Sequence, residues 1–409
     1  MGNPGSAELD ALFRDPGFSQ DPYPTYDRLR ETSPVFWSDA NGGWMLFRWE
    51  DVHASLLDHQ RFSSTGRFSA ALQRLSPELR EACGLLDAHF SVGMLASDPP
   101  HHTRMRALVT KAFTPRVIET LRPRIEALVS DLLDDIDPAS PFDLIESLAY
   151  PLPATVISFL FGAPAADRER FKGWTKGILG FQGTGNPSRA SIEAATEALA
   201  DMRGYLDVLI TARRRDPQDD LLSLLVAAEE EGDRLSTAEL QTICVTLLTA
   251  GHETTTTLIS NGVWLLLTHP EQHALLREQP DLMPNAIEEV LRYESPLQRN
   301  PRMVKSAFTY HGHDLRAGDY VMQVLGSANR DPAQFPAPAR FDITRTPNRH
   351  LAFGHGVHFC LGAPLARLEA PIALRQLFAR FPDLHMAADG VTWQRSGLLR
   401  GLTALPVRA

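Results

Sequence analysis

A single cysteine among glycines is the feature of the sequence best suited to chemistry. Residues 353–362 read FGHGVHFCLG, with Cys360 between Gly356 and Gly362. Glycine lets a backbone pass close to a flat, bulky group because it has no Cβ atom to collide with that group. A helix is predicted to begin directly afterwards, and the positive potential at its N-terminus would lower the pKa of the thiol. Cys360 is therefore a candidate metal ligand or nucleophile, although a lone cysteine is often just a small buried apolar residue.

The spacing Phe-Gly-x-Gly-x-His-x-Cys-x-Gly resembles the haem-binding loop of the cytochrome P-450 family. The resemblance implies that Cys360 is the thiolate ligand of the iron in haem b. It also implies that Phe353 and Gly354 lie at the proximal face of the haem, and that backbone amides as far as Gly362 hydrogen-bond the sulfur. His358 is implied to contact a haem propionate.

A second cluster of candidate residues lies in the sequence DPPHHTRMR, which opens a predicted helix. His102 and Arg106 are four residues apart and share one helix face, an arrangement that suits anion binding as well as a solvated basic face. The resemblance assigns both side chains to a haem propionate and assigns Arg302 to the second propionate. The adjacent His101 and the nearby Arg299 are the alternatives.

A long helix over about residues 237–268 is the main predicted element. Ser236 and Glu239 form a Ser-x-x-Glu capping box at its start, and a His-Pro pair ends it. Such a helix is about 50 Å long, enough to cross the molecule.

The middle of this helix, AGHETTTT, is unusual because threonine and glycine are poor helix formers. Glu253 and Thr254 could be a surface acid and a hydroxyl bonded back to the preceding turn, or they could deliver protons to oxygen. The segment is similar to the family's Ala-Gly-x-Glu/Asp-Thr signature. This similarity implies the second role and places Ala250 and Gly251 against the haem.

A further predicted helix, near residues 284–294, carries Glu289 and Arg292 on one face. Such a pair contributes little on a surface, but its position in the chain resembles the family's invariant Glu-x-x-Arg pair, which implies a structural role. Arg340, in a proline-rich segment, is the predicted third partner.

The predicted substrate pocket is largely apolar and combines residues 62–96, 171–195, 246–254, 297–304 and 396–399. Arg67, Arg74 and Arg299 could meet an acidic substrate, although a surface position is the commoner explanation for an arginine. The candidate lining residues are Phe68, Phe90, Met94, Leu95, Phe181, Leu247, Leu297, Leu398 and Leu399.

Composition limits the remaining possibilities. The chain has 409 residues, of which 43% are hydrophobic and 22% charged, and its formal net charge of −10 disfavours a nucleic-acid partner. No apolar run approaches the roughly 20 residues of a membrane span, so a cytoplasmic protein without membrane contact is expected. Cys83 and Cys244 fit no disulfide or zinc pattern and are predicted to be inert.

Helical periodicity dominates the chain, with a β-hairpin near residues 35–47 and short strands over 301–326. The pattern breaks at residues 183–187, and the resemblance implies a mobile substrate lid there. The resemblance implies one helix-rich domain over residues 1–409, mainly α with small β-sheets, with haem between the long central helix and the cysteine loop. The other long helices are predicted over 115–136, 142–161, 167–181, 188–214 and 219–231.

The predicted function is that of a monomeric haem-thiolate monooxygenase, which inserts one oxygen atom from O2 into a hydrophobic small molecule such as a polyketide, macrolide or terpenoid. No flavin or nicotinamide fingerprint is present, so the resemblance implies electrons from a ferredoxin and its reductase. A peroxide-driven peroxygenase and a non-catalytic haem protein are the alternatives, and the Glu253-Thr254 pair argues against both. Basic residues that could receive an acidic ferredoxin are Arg104, Lys111, Arg116 and Arg349.

Overall fold

A computed structural model describes residues 6–15, 17–182, 187–230, 235–394 and 396–409. Within these ranges the chain is mainly α-helical with small sheets, as predicted. The helices are α1 (Ser6–Leu12), α2 (Tyr23–Thr32), α3 (Trp49–Leu57), α4 (Arg67–Leu72), α5 (Pro77–Ala82), α6 (Gly84–Phe90), α7 (His101–Thr110), α8 (Pro115–Glu119), α9 (Arg122–Asp134), α10 (Pro151–Leu160), α11 (Arg168–Gln182), α12 (Arg189–Arg215), α13 (Leu221–Glu230), α14 (Thr237–Thr268), α15 (Pro270–Glu278), α16 (Met283–Tyr293), α17 (Leu325–Ala328) and α18 (Ala363–Arg380). The strands are β1 (Val35–Ser38), β2 (Gly43–Leu46), β3 (Phe62–Ser63), β4 (Phe142–Asp143), β5 (Arg299–Val304), β6 (Phe308–Tyr310), β7 (His313–Leu315), β8 (Tyr320–Val324), β9 (His385–Met386) and β10 (Pro406–Arg408).

Helix α14 runs through the largest hydrophobic core. Its start is the predicted capping box: the Glu239 N–H donates to Ser236 Oγ at 3.2 Å, and the Ser236 N–H donates to the Glu239 carboxylate at 2.7 Å. Helices α10, α16 and α18 pack against it. The packing depends on a small residue at Gly262, where an added Cβ would lie 3.3 Å from a methyl group of Leu374. The central helix is therefore fixed both by its cap and by close contact along its length.

The largest sheet places two functional segments side by side. Its strand order is β1-β2-β8-β5-β3, and β2 pairs with β8 in parallel while the other pairs are antiparallel. Ser63 of β3 lies opposite Met303 of β5, next to Arg302. The chain that leaves β3 therefore starts beside the predicted propionate-binding arginine.

Two predicted helices differ from the observed elements. The helix predicted over 115–136 is divided into α8 and α9, because Pro123 in the first turn of α9 has no N–H for a continuing helical bond. The helix predicted over 142–161 begins instead as β4, where Phe142 pairs with Val407 of β10, and it becomes α-helical only at Pro151. That pairing joins positions distant in sequence, so no local pattern reveals it.

The predicted break at residues 183–187 lies, apart from Pro187, outside the described residues. Among the helices that the structure describes, none is long and apolar enough to span a membrane.

Candidate active site

The cysteine loop is held by its own backbone between α17 and α18. The Cys360 N–H donates to the carbonyl oxygen of Phe353 at 2.9 Å, and the Gly354 N–H donates to that of Leu351 at 2.8 Å. Gly354 and Gly356 adopt left-handed conformations with φ of 68° and 69°. These angles favour glycine, and they explain two of the glycines in the sequence pattern.

Gly356 also allows the loop to approach helix α3. A Cβ atom at Gly356 would lie 2.8 Å from the backbone oxygen of Leu56, closer than real Cβ contacts, whereas one at Gly354 would meet nothing nearer than 3.8 Å. Gly356 therefore has two reasons to be glycine, and Gly354 has one.

The electrostatics at Cys360 differ from the sequence prediction. Burial raises the pKa of the Cys360 thiol above its usual range, and this effect outweighs the opposing hydrogen bonds from the backbone of Gly362 and Ala363 and the nearby Arg106. The helix-terminus contribution is present, but the prediction of a lowered pKa is wrong for the polypeptide alone because burial penalises the charged thiolate. A coordinated metal cation deprotonates a thiol outright.

Arg367 supports the loop from the far side of Phe353. Its guanidinium lies over the Phe353 ring, 4.6 Å from the ring centroid, and donates to both carboxylate oxygens of Glu288 at 2.7 Å. His350 contacts the same carboxylate at 3.0 Å. The predicted proximal phenylalanine is therefore fixed by an ion-paired arginine.

His102 and His358 come together beside the loop. His102 is buried, its ring centroid lies 4.2 Å from that of His358, and neither of its ring nitrogens has a hydrogen-bond partner in the described chain. His358 Nε2 contacts Ser64 Oγ at 3.0 Å. His101, by contrast, is half-exposed and pairs with Glu239 at 3.1 Å. Of the two histidines, His102 therefore faces the site.

Arginines complete this cluster, which we call the cation cluster: His102, Arg106, Arg302 and His358. Burial and the neighbouring Arg106 lower the pKa of His102 to about 4, so the imidazole is neutral near pH 7. Burial and the nearby Arg67 lower the pKa of Arg302 to about 9. Groups that repel one another in this way are suited to bind an anion.

Arg299 is excluded from the cation cluster by the alternation of β5. Its guanidinium lies over the rings of Phe13 and Phe18, at 5.1 and 5.6 Å, and donates to Asn41 at 3.3 Å. Arg302 instead contacts Asn300 at 3.1 Å. Of the two arginines, only Arg302 belongs with the predicted propionate ligands.

The middle of α14 exposes one narrow stripe in an otherwise buried helix. Between Glu239 and Val263, all residues are buried except six, and those six recur at helical spacing. A buried helix exposes such a stripe only where it borders open space. The six residues are Thr246, Leu247, Ala250, Gly251, Glu253 and Thr254.

Glu253 and Thr254 have defined partners within this stripe. Thr254 Oγ1 donates to the Ala250 carbonyl oxygen at 3.0 Å, the back-bonding considered from the sequence. Burial raises the pKa of Glu253, while a hydrogen bond with the Gln394 side chain and the charge of Lys172 act to lower it. The carboxyl group is thus biased toward its protonated form, which suits a proton donor.

Gly251 serves helix packing as well as the site. A Cβ atom there would lie 3.1 Å from Ile157 Cδ1 on α10. The small residue predicted to face a cofactor is therefore also needed where two helices approach closely.

Several predicted pocket residues meet in space. Phe68 lies 5.3 Å from Phe90 and 6.1 Å from Phe181, measured between ring centroids. Leu297 and Leu399 form an isolated antiparallel bridge, and the Leu398 carbonyl oxygen accepts from the Gln298 N–H at 2.7 Å. The structure therefore brings the predicted lining residues together in two groups, one of aromatic rings and one of paired backbone segments.

Two other predicted lining residues, Met94 and Leu95, differ from each other in exposure. Met94 is buried within the main core, and its neighbour Leu95 is 44% exposed. Phe181 is buried in the same core, with 5% exposed, so burial there does not separate Met94 from the other predicted lining residues.

The Glu289-Arg292 pair is fully buried, but its third partner is not the predicted one. Arg292 donates to both Glu289 oxygens at 2.7 and 2.8 Å, and Arg345 contacts the same carboxylate at 3.1 Å. Arg340 is wrong as a side-chain partner: its side chain is 68% exposed and contributes only a backbone oxygen, which accepts from Arg292 at 3.1 Å. The proline-rich segment turns between Arg340 and Arg345, so only the second arginine points inward.

Sequence reasoning missed five contributors to the site. Arg367 lies in the second turn after the cysteine loop, and its helical position could have indicated it. The other four depend on contacts between distant parts of the chain, which leave no local pattern. The five are Ser64, Arg345, Arg367, Gln394 and Asp98, the last of which accepts from the Ser64 N–H at 2.8 Å.

Comparison with known proteins agrees with this geometry. The model of the cytochrome P-450 family matches residues 80–393. Cytochrome P-450 107B1 of Saccharopolyspora erythraea is 45% identical over 404 residues, which cover 98% of each chain. The polyketide biosynthesis cytochrome P-450 PksS of Bacillus subtilis is 40% identical over 399 residues, covering 95% of this chain and 96% of that protein.

A solved structure is also similar over nearly the whole chain. The structure of P-450 BioI in complex with acyl carrier protein ligated to hexadec-9Z-enoic acid has a TM-score of 0.88 and 38% identity, and the match covers 97% of this chain and 100% of that chain. The chain belongs to the cytochrome P-450 family and is a monooxygenase of that family. Members of the family hold haem through a cysteine thiolate.

Proposed function

We propose that this protein is a haem-thiolate monooxygenase in which Cys360 is the axial ligand of haem b, and that it inserts one oxygen atom from O2 into a hydrophobic small molecule. The observation that carries the proposal is the cation cluster beside the cysteine loop. It gathers two guanidiniums and two imidazoles around a site that needs carboxylates. The proposed domain comprises the whole of residues 1–409, and a core that extends from Leu72 to Val407 supports this.

The residues present fit haem in three respects. The two ring nitrogens of the buried His102 have no partner in the described chain, as expected of a group that awaits a propionate. The loop offers a thiol with backbone N–H groups aimed at the sulfur. The stripe on α14 supplies small residues, Ala250 and Gly251, for a flat ring system. Arg106 and His102 would hold one propionate, and Arg302 and His358 the other.

The chain's own residues would hold and deliver the protons that the reaction needs. Haem, when bound, supplies the activation of O2 and the insertion of oxygen into the substrate. Glu253 would carry a proton in its buried carboxyl group, and Thr254 would pass it toward the open side of α14. Gln394 would orient the Glu253 carboxyl, and Lys172 would bias its charge.

The substrate is proposed to be a largely apolar secondary metabolite, with a polyketide or macrolide as the leading class. The aromatic contacts among Phe68, Phe90 and Phe181 support an apolar body. The relative named for polyketide biosynthesis supports the class.

Electrons are proposed to come from a ferredoxin that docks over the cysteine loop. Phe359, within the loop, is 37% exposed, and Leu57 is 47% exposed. An added Cβ at Gly356 would meet Leu57, so Leu57 borders the loop. The exposed Lys111, Arg116 and Arg349 could surround this patch. Arg104 fits the role less well because its guanidinium pairs with Glu239.

The carbon monoxide difference spectrum of the dithionite-reduced protein tests the proposal. Thiolate ligation gives a strongly red-shifted Soret band, and Cys360→Ser should abolish it. Cys244→Ser, at a buried cysteine of the core, is the matched control and should leave the band unchanged. A band that survives in Cys360→Ser would overturn the ligand assignment.

A further inference from the structure

Arg67 lies where the cation cluster meets the apolar lining. It begins helix α4 directly after Gly66, whose φ of 76° turns the chain sharply. Three residues earlier, Ser64 contacts His358. The next residue, Phe68, contacts Phe90 and Phe181. A ligand anchored at Arg67 therefore has an aromatic surface directly beside its anchor.

The guanidinium of Arg67 has no counterpart in the described part of the chain. No carboxylate or other acceptor of that part lies within hydrogen-bond distance of it. Its neighbours are the cationic Arg302 and the imidazole of His358, which is neutral near pH 7 because burial lowers its pKa to about 2. The phenol of Tyr320 is the nearby group that favours its charge. A partly buried guanidinium is costly without an acceptor, and such groups are ordinarily paired.

No negative charge in the described site or on haem remains to pair with Arg67. Asp98 is the carboxylate whose charge reaches Arg302, but it already accepts from Ser63 at 2.5 Å and from the Ser64 N–H at 2.8 Å and lies 3.8 Å from Lys305. The two propionates of haem match Arg106 and Arg302. One positive charge, that of Arg67, remains beside the site.

The other two arginines considered from the sequence are accounted for. Arg74 donates to the backbone oxygens of Asn41 and Ala40 at 2.6 and 3.0 Å. Arg299 is sandwiched against aromatic rings and Asn41. Arg299 Nε also lacks a partner, but its guanidinium still donates to Asn41, whereas Arg67 is the one of the three with no acceptor in the described structure.

We propose that Arg67 binds a carboxylate on the substrate, so that the substrate class is an amphipathic acid whose apolar body extends along Phe68, Phe90 and Phe181. The inference rests on the proposed function and narrows it. It assigns the acidic group to one end of the molecule, because the arginine and the aromatic rings lie at neighbouring positions rather than around a common centre.

Calorimetric titration of the haem-loaded protein tests this assignment. The ligands are decanoic, dodecanoic and tetradecanoic acids, each beside the alcohol of equal length. Wild-type protein should bind at least one acid more tightly than its alcohol. Arg67→Gln should weaken binding of the acid by about tenfold to a hundredfold, the range expected for loss of a charge-assisted hydrogen bond. It should change the affinity for the alcohol by no more than about twofold.

Two further variants make the result specific. Arg67→Lys keeps the charge and should retain part of the preference for the acid. Arg74→Gln removes a nearby arginine whose two terminal nitrogens donate to backbone oxygens, and it should change the binding of neither ligand. Haem content, measured as the pyridine haemochrome, should be the same in all variants.

Three outcomes would overturn the inference: no preference of the wild type for any acid, an equal loss of acid and alcohol binding in Arg67→Gln, or a loss of haem from that variant. The last would mean that Arg67 holds a propionate instead. Each leaves the thiolate carbon monoxide spectrum of the wild type intact, so failure here is distinguishable from failure of the proposed function.

Discussion

Glu369 is a carboxyl group buried on α18 with one oxygen that lacks a hydrogen-bond partner in the described structure. Burial raises its pKa well above the ordinary value of 4.5, so the folded protein retains a proton that the unfolded chain has already lost at neutral pH. Its contribution to stability is therefore complete below the unfolded pKa and declines as pH rises toward the folded pKa.

Glu369→Gln should remove this part of the pH dependence. The free energy of unfolding, measured by urea titration between about pH 5 and 8, should decline less steeply in the variant, by at most about 1.4 kcal/mol per pH unit for one proton. Glu288→Gln is the control, because the pKa of Glu288 is shifted in the opposite direction. Burial acts to raise this pKa, but Arg367 and His350 lower it to about 2. That variant should lose stability throughout the range without flattening the slope, and an unchanged slope in Glu369→Gln would contradict the prediction.

Thr254 and Thr255 are adjacent threonines with different surroundings. Thr254 lies in the exposed stripe, whereas Thr255 is buried and donates to the Gly251 carbonyl oxygen at 3.3 Å. Thr254→Ala should reduce the fraction of reducing equivalents recovered in product by about tenfold. This is less than the usual loss for a general acid, because Glu253 and water still supply protons.

Product yield and hydrogen peroxide release, measured against NAD(P)H consumption with surrogate redox partners, check this expectation. Thr255→Ala should keep its coupling. Equal uncoupling in both variants would mean that the effect comes from the helix rather than from the hydroxyl.

Motif residues were the most predictable part of the site. Cys360 and His102 were predicted because each lies in a short local pattern, and Arg302 was predicted from the family resemblance. The raised pKa of Cys360 was not predicted, because the burial of its thiol depends on distant segments that pack over the loop. Gln394 was missed for the same reason, as its contact with Glu253 joins distant segments.

At the scale of elements, alanine substitution of the two left-handed glycines in the cysteine loop distinguishes the cost of backbone strain from the cost of a steric clash. Gly354→Ala should cost about 1 to 2 kcal/mol of stability, the penalty of a left-handed non-glycine residue. Gly356→Ala adds a contact with the backbone of α3 at 2.8 Å and should cost more, together with loss of haem. Thermal unfolding and the haem-to-protein absorbance ratio measure both. Equal effects would show that α3 yields to the new methyl group.

Elements with local end signals were predicted well. Helix α14 begins and ends as predicted because a capping box and a His-Pro pair act on their own neighbours. The strand β4 was not predicted, since its edge partner β10 lies near the other end of the chain.

At the scale of the whole molecule, the buried network around Glu289 ties α16 to the segment that precedes the cysteine loop. Arg345 pairs with Glu289 and also donates to the Pro336 carbonyl oxygen at 2.8 Å. Arg345→Leu should cost about 3 to 5 kcal/mol, the usual penalty for leaving a buried charge partly unpaired. Arg340→Ala, on the surface, should cost no more than about 0.5 kcal/mol. Urea unfolding of both variants measures the loss of stability. A larger loss in Arg340→Ala than in Arg345→Leu would restore the sequence-based assignment of Arg340.

The open stripe on α14 also bears on how such a protein can change its substrate over evolutionary time. Most substitutions in the middle of this helix disturb the core, but Thr246, Leu247 and Ala250 lie in the stripe that borders open space, although Leu247 also packs partly against the core. New side chains there can reshape specificity at little cost in stability. One rigid scaffold can in this way give rise to enzymes for many different molecules, and these three positions are where a library for directed evolution should begin.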